Sequence, residues 1–351
     1  MPVPNLQAVR DHAQTLFDCA QNQDADKTQQ HCLELPGLTI KGAFSSNRYI
    51  EFCQNNLVSS TALEKKDSKV ITVHLMDANS NPGLPLMPVV SDAFSIKEFV
   101  EYLQQHDLDG TCDTNYGIWQ YYSDTEGLGV QFIKSDEHLP PWEPTFPLRQ
   151  FIHWAYHNTS KGLIHAGTLG LEGIGVLLSG AGGSGKSGTT LAGILSGLDS
   201  VGDDYVVADI NDKCIKTYPL IKNLKQDIGG LERNDLSLAD NIFTGPNWQN
   251  KYLFDFERLG AGKRASHLNI KAILLPKISH SVKTSFEKTS SKEAMLSLVP
   301  SNLYQLTGNW HKTMNFAAKI CRALPAYKVH LGTDPVEIAG SIKAFIESAK
   351  Q

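Results

Sequence analysis

The segment Gly180-Ala181-Gly182-Gly183-Ser184-Gly185-Lys186-Ser187 satisfies the pattern G-x-x-x-x-G-K-[ST]. Each residue type in it suits an anion that carries several phosphates. Glycines let the backbone curl so that its N–H groups point inward, the lysine adds a point charge near the β- and γ-phosphates, and the Ser187 hydroxyl can ligate Mg²⁺. Further along, Asp203-Asp204 stand at the lip of the apolar run Tyr205-Val206-Val207. Two adjacent carboxylates can divide the labour of phosphoryl transfer. One holds a metal ion, directly or through water, and the other accepts the proton of an attacking hydroxyl. Out of context the same strings also read as a glycine-rich turn and a solvated Asp-Asp turn.

Positioning such residues needs a strand to deliver the loop and a helix to follow it. Val176–Ser179 reads as a buried strand, and Leu191, Ile194, Leu195 and Leu198 fall on one face of a helix. That helix would aim its positive end at the bound anion. Around this centre, Leu163–Leu169 and Gly175–Ser179 read as strands joined by a tight turn at Glu172-Gly173, with further β-like runs at Tyr205–Ile210 and Ile270–Pro276. Residues 292–320 read as helical with a break near Pro300, and Thr333–Ala349 as a closing helix. Upstream, helices are expected over residues 5–20 and Asp92–Gln105, with β-like runs at Lys69–Met76, Tyr116–Tyr122 and Gly129–Lys134. Pro140, Pro141, Pro144 and Pro147 crowd one stretch, where neither helix nor central strand passes easily. This predicts a mixed α/β region over 1–145 and a second domain over 146–351, which opens with a helix at Phe146–His157.

Composition narrows the function classes. The chain has 351 residues and a formal net charge of −5. Without a basic excess, nucleic acid is not the expected partner. No apolar stretch is long enough for a membrane span, and the start of the chain lacks the basic-then-apolar order of a signal peptide. The six cysteines form no C-x-x-C pair, so reduced thiols and a cytoplasmic location are expected.

The order strand, histidine, strand, loop, helix, Asp-Asp resembles the HPr kinase/phosphorylase superfamily, P-loop kinases related to the phosphoenolpyruvate carboxykinases. The matching strings are Leu163-Ile164-His165-Ala166-Gly167, Gly180–Ser187 and Asp203-Asp204, with Leu324-Pro325-Ala326-Tyr327-Lys328-Val329 similar to the relatives' final strand. The resemblance covers about residues 146–335 and is specific over about 160–210. It implies an α/β P-loop kinase domain of the HPr-kinase type behind a mixed α/β N-terminal domain. It also implies ATP and Mg²⁺ as cofactors, and commonly an oligomer. By the same resemblance Gly180 to Gly188 hold the nucleotide phosphates, Ser187 and Asp203 lie on the metal side, and Asp204 is the base. His165 would sit beside the carboxylates; taken by itself it reads more simply as a hydrogen-bonded histidine in a strand pair, and the resemblance brings the two readings level. The arginine-containing signature of the true HPr kinases is not recognisable. Its nearest counterpart, Ile228-Gly229-Gly230-Leu231-Glu232-Arg233, differs in order, so the resemblance does not carry the HPr protein over as acceptor.

The transferring phosphoryl group calls for a second cation. Lys251, Arg258, Lys263 and Arg264 are the candidates, and the relatives' pattern favours Lys251. Two functions follow. One is an ATP- and Mg²⁺-dependent kinase acting on a hydroxyl acceptor: a serine of a protein or peptide, a free amino acid, or another small alcohol. The other is a nucleotide-binding regulatory module without phosphotransfer, which would have no need of a base at Asp204. His153 and His157 share a helix face but lack a third metal ligand in sight. Trp119, Tyr121 and Tyr122 read as core or sheet face, and Trp154 and Tyr156 as packing for the helix that joins the domains.

Overall fold

A computed structural model describes residues 6–22, 28–59, 68–88, 95–211 and 214–350. The chain divides into two compact units, one of residues 1–158 with 306–310 and one of residues 159–305 with 311–351.

The first unit runs α1 (Leu6–Gln21), β1 (Gln29–Leu35), β2 (Leu38–Phe44), α2 (Asn47–Asn56), β3 (Lys69–Asp77), α3 (Ile96–Gln104), β4 (Leu108–Asp113), β5 (Ile118–Ser123), β6 (Leu128–Ile133) and α4 (Arg149–Tyr156). Its six strands form a mixed sheet in the order β1-β2-β3-β6-β5-β4. The apolar stripes of α1 (Val9, Ala13, Leu16, Phe17) and α3 (Phe99, Val100, Leu103) cluster with Trp119, Tyr121, Val130 and Phe132 of the sheet. Ser95 caps α3 by accepting from the Glu98 N–H; residues 92–94 of the helix expected from Asp92 lie outside the described residues.

The proline-rich stretch belongs to this unit and is not a linker. Residues 143–145 make a single 3₁₀ turn. There the buried Glu143 accepts from the Tyr49 hydroxyl, which in turn accepts from the Leu148 N–H at 3.2 Å. Helix α4 packs on β3 and β5 of the same unit. The units therefore divide after Asn158, past the expected boundary at 145/146.

The second unit runs β7 (Lys161–Ile164), β8 (Gly167–Leu171), β9 (Ile174–Leu178), α5 (Lys186–Leu195), β10 (Val206–Asn211), β11 (Cys214–Tyr218), β12 (Asn223–Gln226), α6 (Ile228–Glu232), β13 (Tyr252–Asp255), β14 (Leu268–Ser281), β15 (Ser285–Thr289), α7 (Ser291–Gln305), α8 (Trp310–Ala323), β16 (Ala326–Gly332) and α9 (Pro335–Ser348). Strand β9 runs parallel to β14 and antiparallel to β8, and β14 runs parallel to β16. Since β9 takes one edge of β14, the other edge is shared between β11 at its start and β16 from Ile273 onward. Successive residues of β9 face opposite ways. Val176 and Leu178 join Leu191, Ile194 and the α9 residues Ile338, Ile342 and Ile346. Leu177 joins Ala294 and Leu298 of α7 and Ala317 and Ile320 of α8. Burial on both faces explains why β9 reads as a continuous apolar run.

The helical break expected near Pro300 falls elsewhere. Helix α7 runs through Pro300 and stops at Gln305. The chain then turns at Gly308 (φ 130°), with the Thr307 carbonyl accepting from the Trp154 indole at 2.6 Å. Among the described residues no helix is long and apolar enough to cross a membrane, and all six cysteines are free thiols.

Candidate functional site

The glycine-rich loop joins β9, one of the parallel strands at the middle of the second unit, to α5. Its tip, Ala181 to Gly183, is exposed, and nothing lies within 4 Å of where side chains on Gly182 or Gly183 would begin. Gly185 caps the helix in a left-handed conformation (φ 98°), and a Cβ there would come within 2.5 Å of Leu331. The first helical bond within reach of the loop is Thr189 N–H to Gly185 O at 2.9 Å. The N–H groups of Lys186, Ser187 and Gly188 therefore lack intrahelical partners and face the loop. Such a helix start, beneath an open glycine tip, is suited to an anion.

Lys186 is buried despite its charge. Its Nζ lies 3.1 Å from Nε2 of His165. That same nitrogen lies 3.0 Å from Oδ1 of Asp204, and the other Asp204 oxygen, Oδ2, accepts from Lys225 Nζ at 2.8 Å. A single imidazole nitrogen cannot serve both neighbours at once. Protonated, it donates to Asp204; unprotonated, it accepts from Lys186. Burial alone would push the Asp204 carboxyl up, but the charge of Lys225 and the hydrogen bond from His165 outweigh it and hold Asp204 well below the usual carboxylate range.

His165 reaches this position because the strand expected over Leu163–Leu169 is broken. Strand β7 pairs with β10 and β8 with β9, and His165 stands in the gap. Its N–H donates to Asn302 Oδ1 of α7 at 3.0 Å, and its ring stacks on Tyr205 at 5.1 Å. Tyr205 in turn donates to Gln305 at 3.1 Å. Asn302 and Gln305 carry no motif that sequence reasoning could have used.

The carboxylate turn has its own buried support. Thr168 and Ser200 are fully buried. Thr168 Oγ1 accepts from the N–H groups of Val201 at 3.0 Å and Gly202 at 3.2 Å and donates to the Gly202 carbonyl at 3.0 Å. This clamp precedes Asp204, a non-glycine residue held at φ 83°. A left-handed conformation of this kind is costly and persists only where its surroundings over-determine it.

Asp203 is 4% exposed, and its Oδ1 has no hydrogen-bond partner among the described residues. A Cβ on Gly167 would come within 2.7 Å of that oxygen and 2.5 Å of Thr190 Oγ1. Gly167 thus leaves open the space beside both. Thr190 is one turn beyond Ser187 on α5, so Asp203 lies toward the helix face that carries Ser187. An orphaned buried carboxylate oxygen is expensive unless a cation completes it. Two protein oxygens, with phosphate and water supplying the rest, suit Mg²⁺ rather than an all-protein metal cage. No cluster of three or more metal-ligating side chains occurs among the described residues; His153 and His157 approach each other at 3.0 Å, with Asp109 beside His157.

The expected second cations are placed differently from one another. Lys251 precedes β13 with its N–H held by Asn247 at 3.0 Å. Arg258 donates to the Asn241 carbonyl, and Lys263 is bonded through its backbone to Asp199 and Ser200. Arg264 is consumed by Asp255, Glu257 and the carbonyls of Ile221 and Lys222. Among the described residues the ammonium bonded to Asp204 is that of Lys225, which sequence reasoning missed. Its register opposite Leu253, in the ribbon β12–β13, is set by tertiary pairing.

No protein-family model matches the sequence, and no curated protein matches it. Among solved structures, the chain is similar to the Hpr(Ser) kinase/phosphatase from Coxiella burnetii, with 14% identity and a TM-score of 0.28 over 54% of this chain and 99% of that one. A likeness of that size carries no argument about activity, and the functional reading rests on the geometry.

Proposed function

We propose that the second unit is a P-loop phosphotransferase of the HPr-kinase type, which moves the γ-phosphoryl group of ATP to a hydroxyl acceptor. The observation that carries this reading is the unbroken row Lys186, His165, Asp204, Lys225, with successive contacts of 3.1, 3.0 and 2.8 Å. It joins a glycine-rich loop suited to phosphates to a carboxylate held in its ionised form.

In this reading the N–H groups of residues 180–188 bind the triphosphate, and Lys186 turns from His165 to the β- and γ-phosphates. Lys251 is a further phosphate-side cation. Ser187 and Asp203 would hold Mg²⁺, which neutralises charge on the phosphate oxygens. Asp204 keeps free lone pairs beside those used by His165 and Lys225. One of them accepts the acceptor's hydroxyl proton as the acceptor oxygen bonds to the γ-phosphorus. The bond from that phosphorus to the β–γ bridging oxygen breaks, and ADP leaves with the electron pair. Loop amides, Lys186 and the buried setting stabilise the charge spreading over the transferred group.

A second reading, a nucleotide-binding regulatory module without transfer, is favoured by one feature. Lys225 and His165 both lower the basicity of Asp204. The two readings separate in an assay with γ-labelled ATP, Mg²⁺ and a panel of serine peptides, free serine and small alcohols. The kinase reading expects label in at least one acceptor. It also expects Asp204→Asn to cut transfer by about 10³-fold, with ATP affinity kept within about threefold. Retained affinity with no transfer by the wild type selects the regulatory reading. No affinity for any nucleoside triphosphate with Mg²⁺ rejects both.

A further inference from the structure

Lys225 belongs to no sequence motif, yet it is the ammonium in direct contact with Asp204. Its side chain is 14% exposed, so it is not an ordinary solvated surface charge. It is presented by a short antiparallel ribbon, β12–β13, in which Lys225 stands opposite Leu253. That ribbon is pinned from one side by Arg264. The guanidinium donates to the carbonyls of Ile221 (3.3 Å) and Lys222 (2.9 Å) just upstream of β12, and to Asp255 (2.7 Å) at the end of β13. It also lies over the Phe256 ring at 4.6 Å. Planar, many-donor Arg suits a tie of this kind. Lys225 is therefore delivered by a stiffened element.

The two contacts on Asp204 divide its oxygens, Oδ1 to His165 and Oδ2 to Lys225. Together they define the plane of the carboxylate. With either one missing, rotation about the last side-chain torsion is only weakly restrained, because that torsion is broad for carboxylates. The backbone beneath is already in an unfavourable left-handed conformation. In the phosphotransfer reading Lys186 turns from His165 to the phosphates, and Lys225 is then the cation left on Asp204.

We propose that Lys225 is a positioning residue of the transfer step: it fixes the orientation of the Asp204 carboxylate toward the incoming hydroxyl, acting through Asp204 and not on the nucleotide. This rests on the phosphotransfer reading above. The contacts predict a separation of rate from binding. MgATP affinity, read by calorimetry, stays within about threefold in Lys225→Met, while turnover falls by about 100-fold. Turnover is read as phosphate release from MgATP at high protein concentration, with water as the acceptor. Lys225→Arg, which keeps a cation at the same place, recovers at least about tenfold over Lys225→Met. Because the action runs through Asp204, Lys225→Met combined with Asp204→Asn is no slower than Asp204→Asn alone.

Matched circular dichroism spectra establish that each variant is folded. Wild-type turnover in Lys225→Met, or a double variant about tenfold slower than Asp204→Asn, overturns the proposal. So does a Lys225→Arg no faster than Lys225→Met. Where water is not used, turnover is read with whichever acceptor of the panel above takes label. A wild-type protein that binds MgATP but neither releases phosphate nor labels any of those acceptors rejects the transfer reading itself, and the Lys225 assignment with it; the inference fails alone only where the wild type turns over.

Discussion

Replacing Thr168 by Val tests whether the buried hydroxyl clamp holds the carboxylate turn. The two side chains are nearly isosteric, so no cavity opens, and the change isolates the hydrogen bonds. Val201 N–H loses its partner at 3.0 Å, whereas Gly202 N–H keeps Ser200 Oγ at 3.0 Å. The backbone bond from Thr168 N–H to the Gly202 carbonyl also survives. One orphaned, fully buried amide costs about 1–3 kcal/mol, and one lost neutral hydrogen bond adds about 1 kcal/mol. The expected loss is about 2–4 kcal/mol. Two measurements check it. Urea unfolding followed by circular dichroism reads the stability of the second unit, and hydrogen exchange of the Val201 and Gly202 amides reads the turn itself. Thr168→Ser keeps the hydroxyl and gives up only a methyl, so its loss is about 1 kcal/mol. If Thr168→Val unfolds within about 0.5 kcal/mol of the wild type, or Thr168→Ser is equally damaging, the clamp does not carry the turn.

Gly185→Ala places a Cβ at φ 98° and within 2.5 Å of Leu331. It should destabilise the second unit by about 2 kcal/mol in thermal unfolding and weaken binding of inorganic tripolyphosphate, a probe of the loop without a base or sugar. In the first unit, burial pushes His12 down to about 4 from 6.5. The unfolded chain therefore takes up the proton first. The stability that His12 contributes is full above about pH 6.5 and is lost as pH falls toward 4, by about 3 kcal/mol in all. A urea-unfolding series across this window should show that loss in the wild type and a flatter profile in His12→Asn; equal slopes would count against it.

Reading the sequence located what depends on neighbours along the chain. Strand β9, the loop and α5 follow from a continuous apolar run, a cluster of glycines and a 3.6-residue stripe, all within about 25 residues. The turn at Glu172-Gly173 was legible for the same reason, since both residues adopt positive φ there. The Asp203-Asp204 pair was visible because adjacent carboxylates before an apolar strand stand out. By contrast, the break that frees His165 leaves no local trace. Its flanking residues suit a strand equally well, and only their different partners, β10 and β9, part them. The proline-rich stretch misled the domain division because proline reports backbone restriction and not the loss of tertiary contact. Glu143, in its midst, is buried against Tyr49.

That a glycine-rich loop lies between strand and helix, with two carboxylates after it, can be read along the chain. Those facts are local, set by torsional preference and by periodicity. Folding in three dimensions chose what surrounds the carboxylates: Lys225 on Asp204, Asn302 behind His165, and Thr168 beneath the turn. These partners come from strands and helices as far as 137 residues apart. Pair register and packing choose among the chemically equivalent side chains that spacing cannot rank.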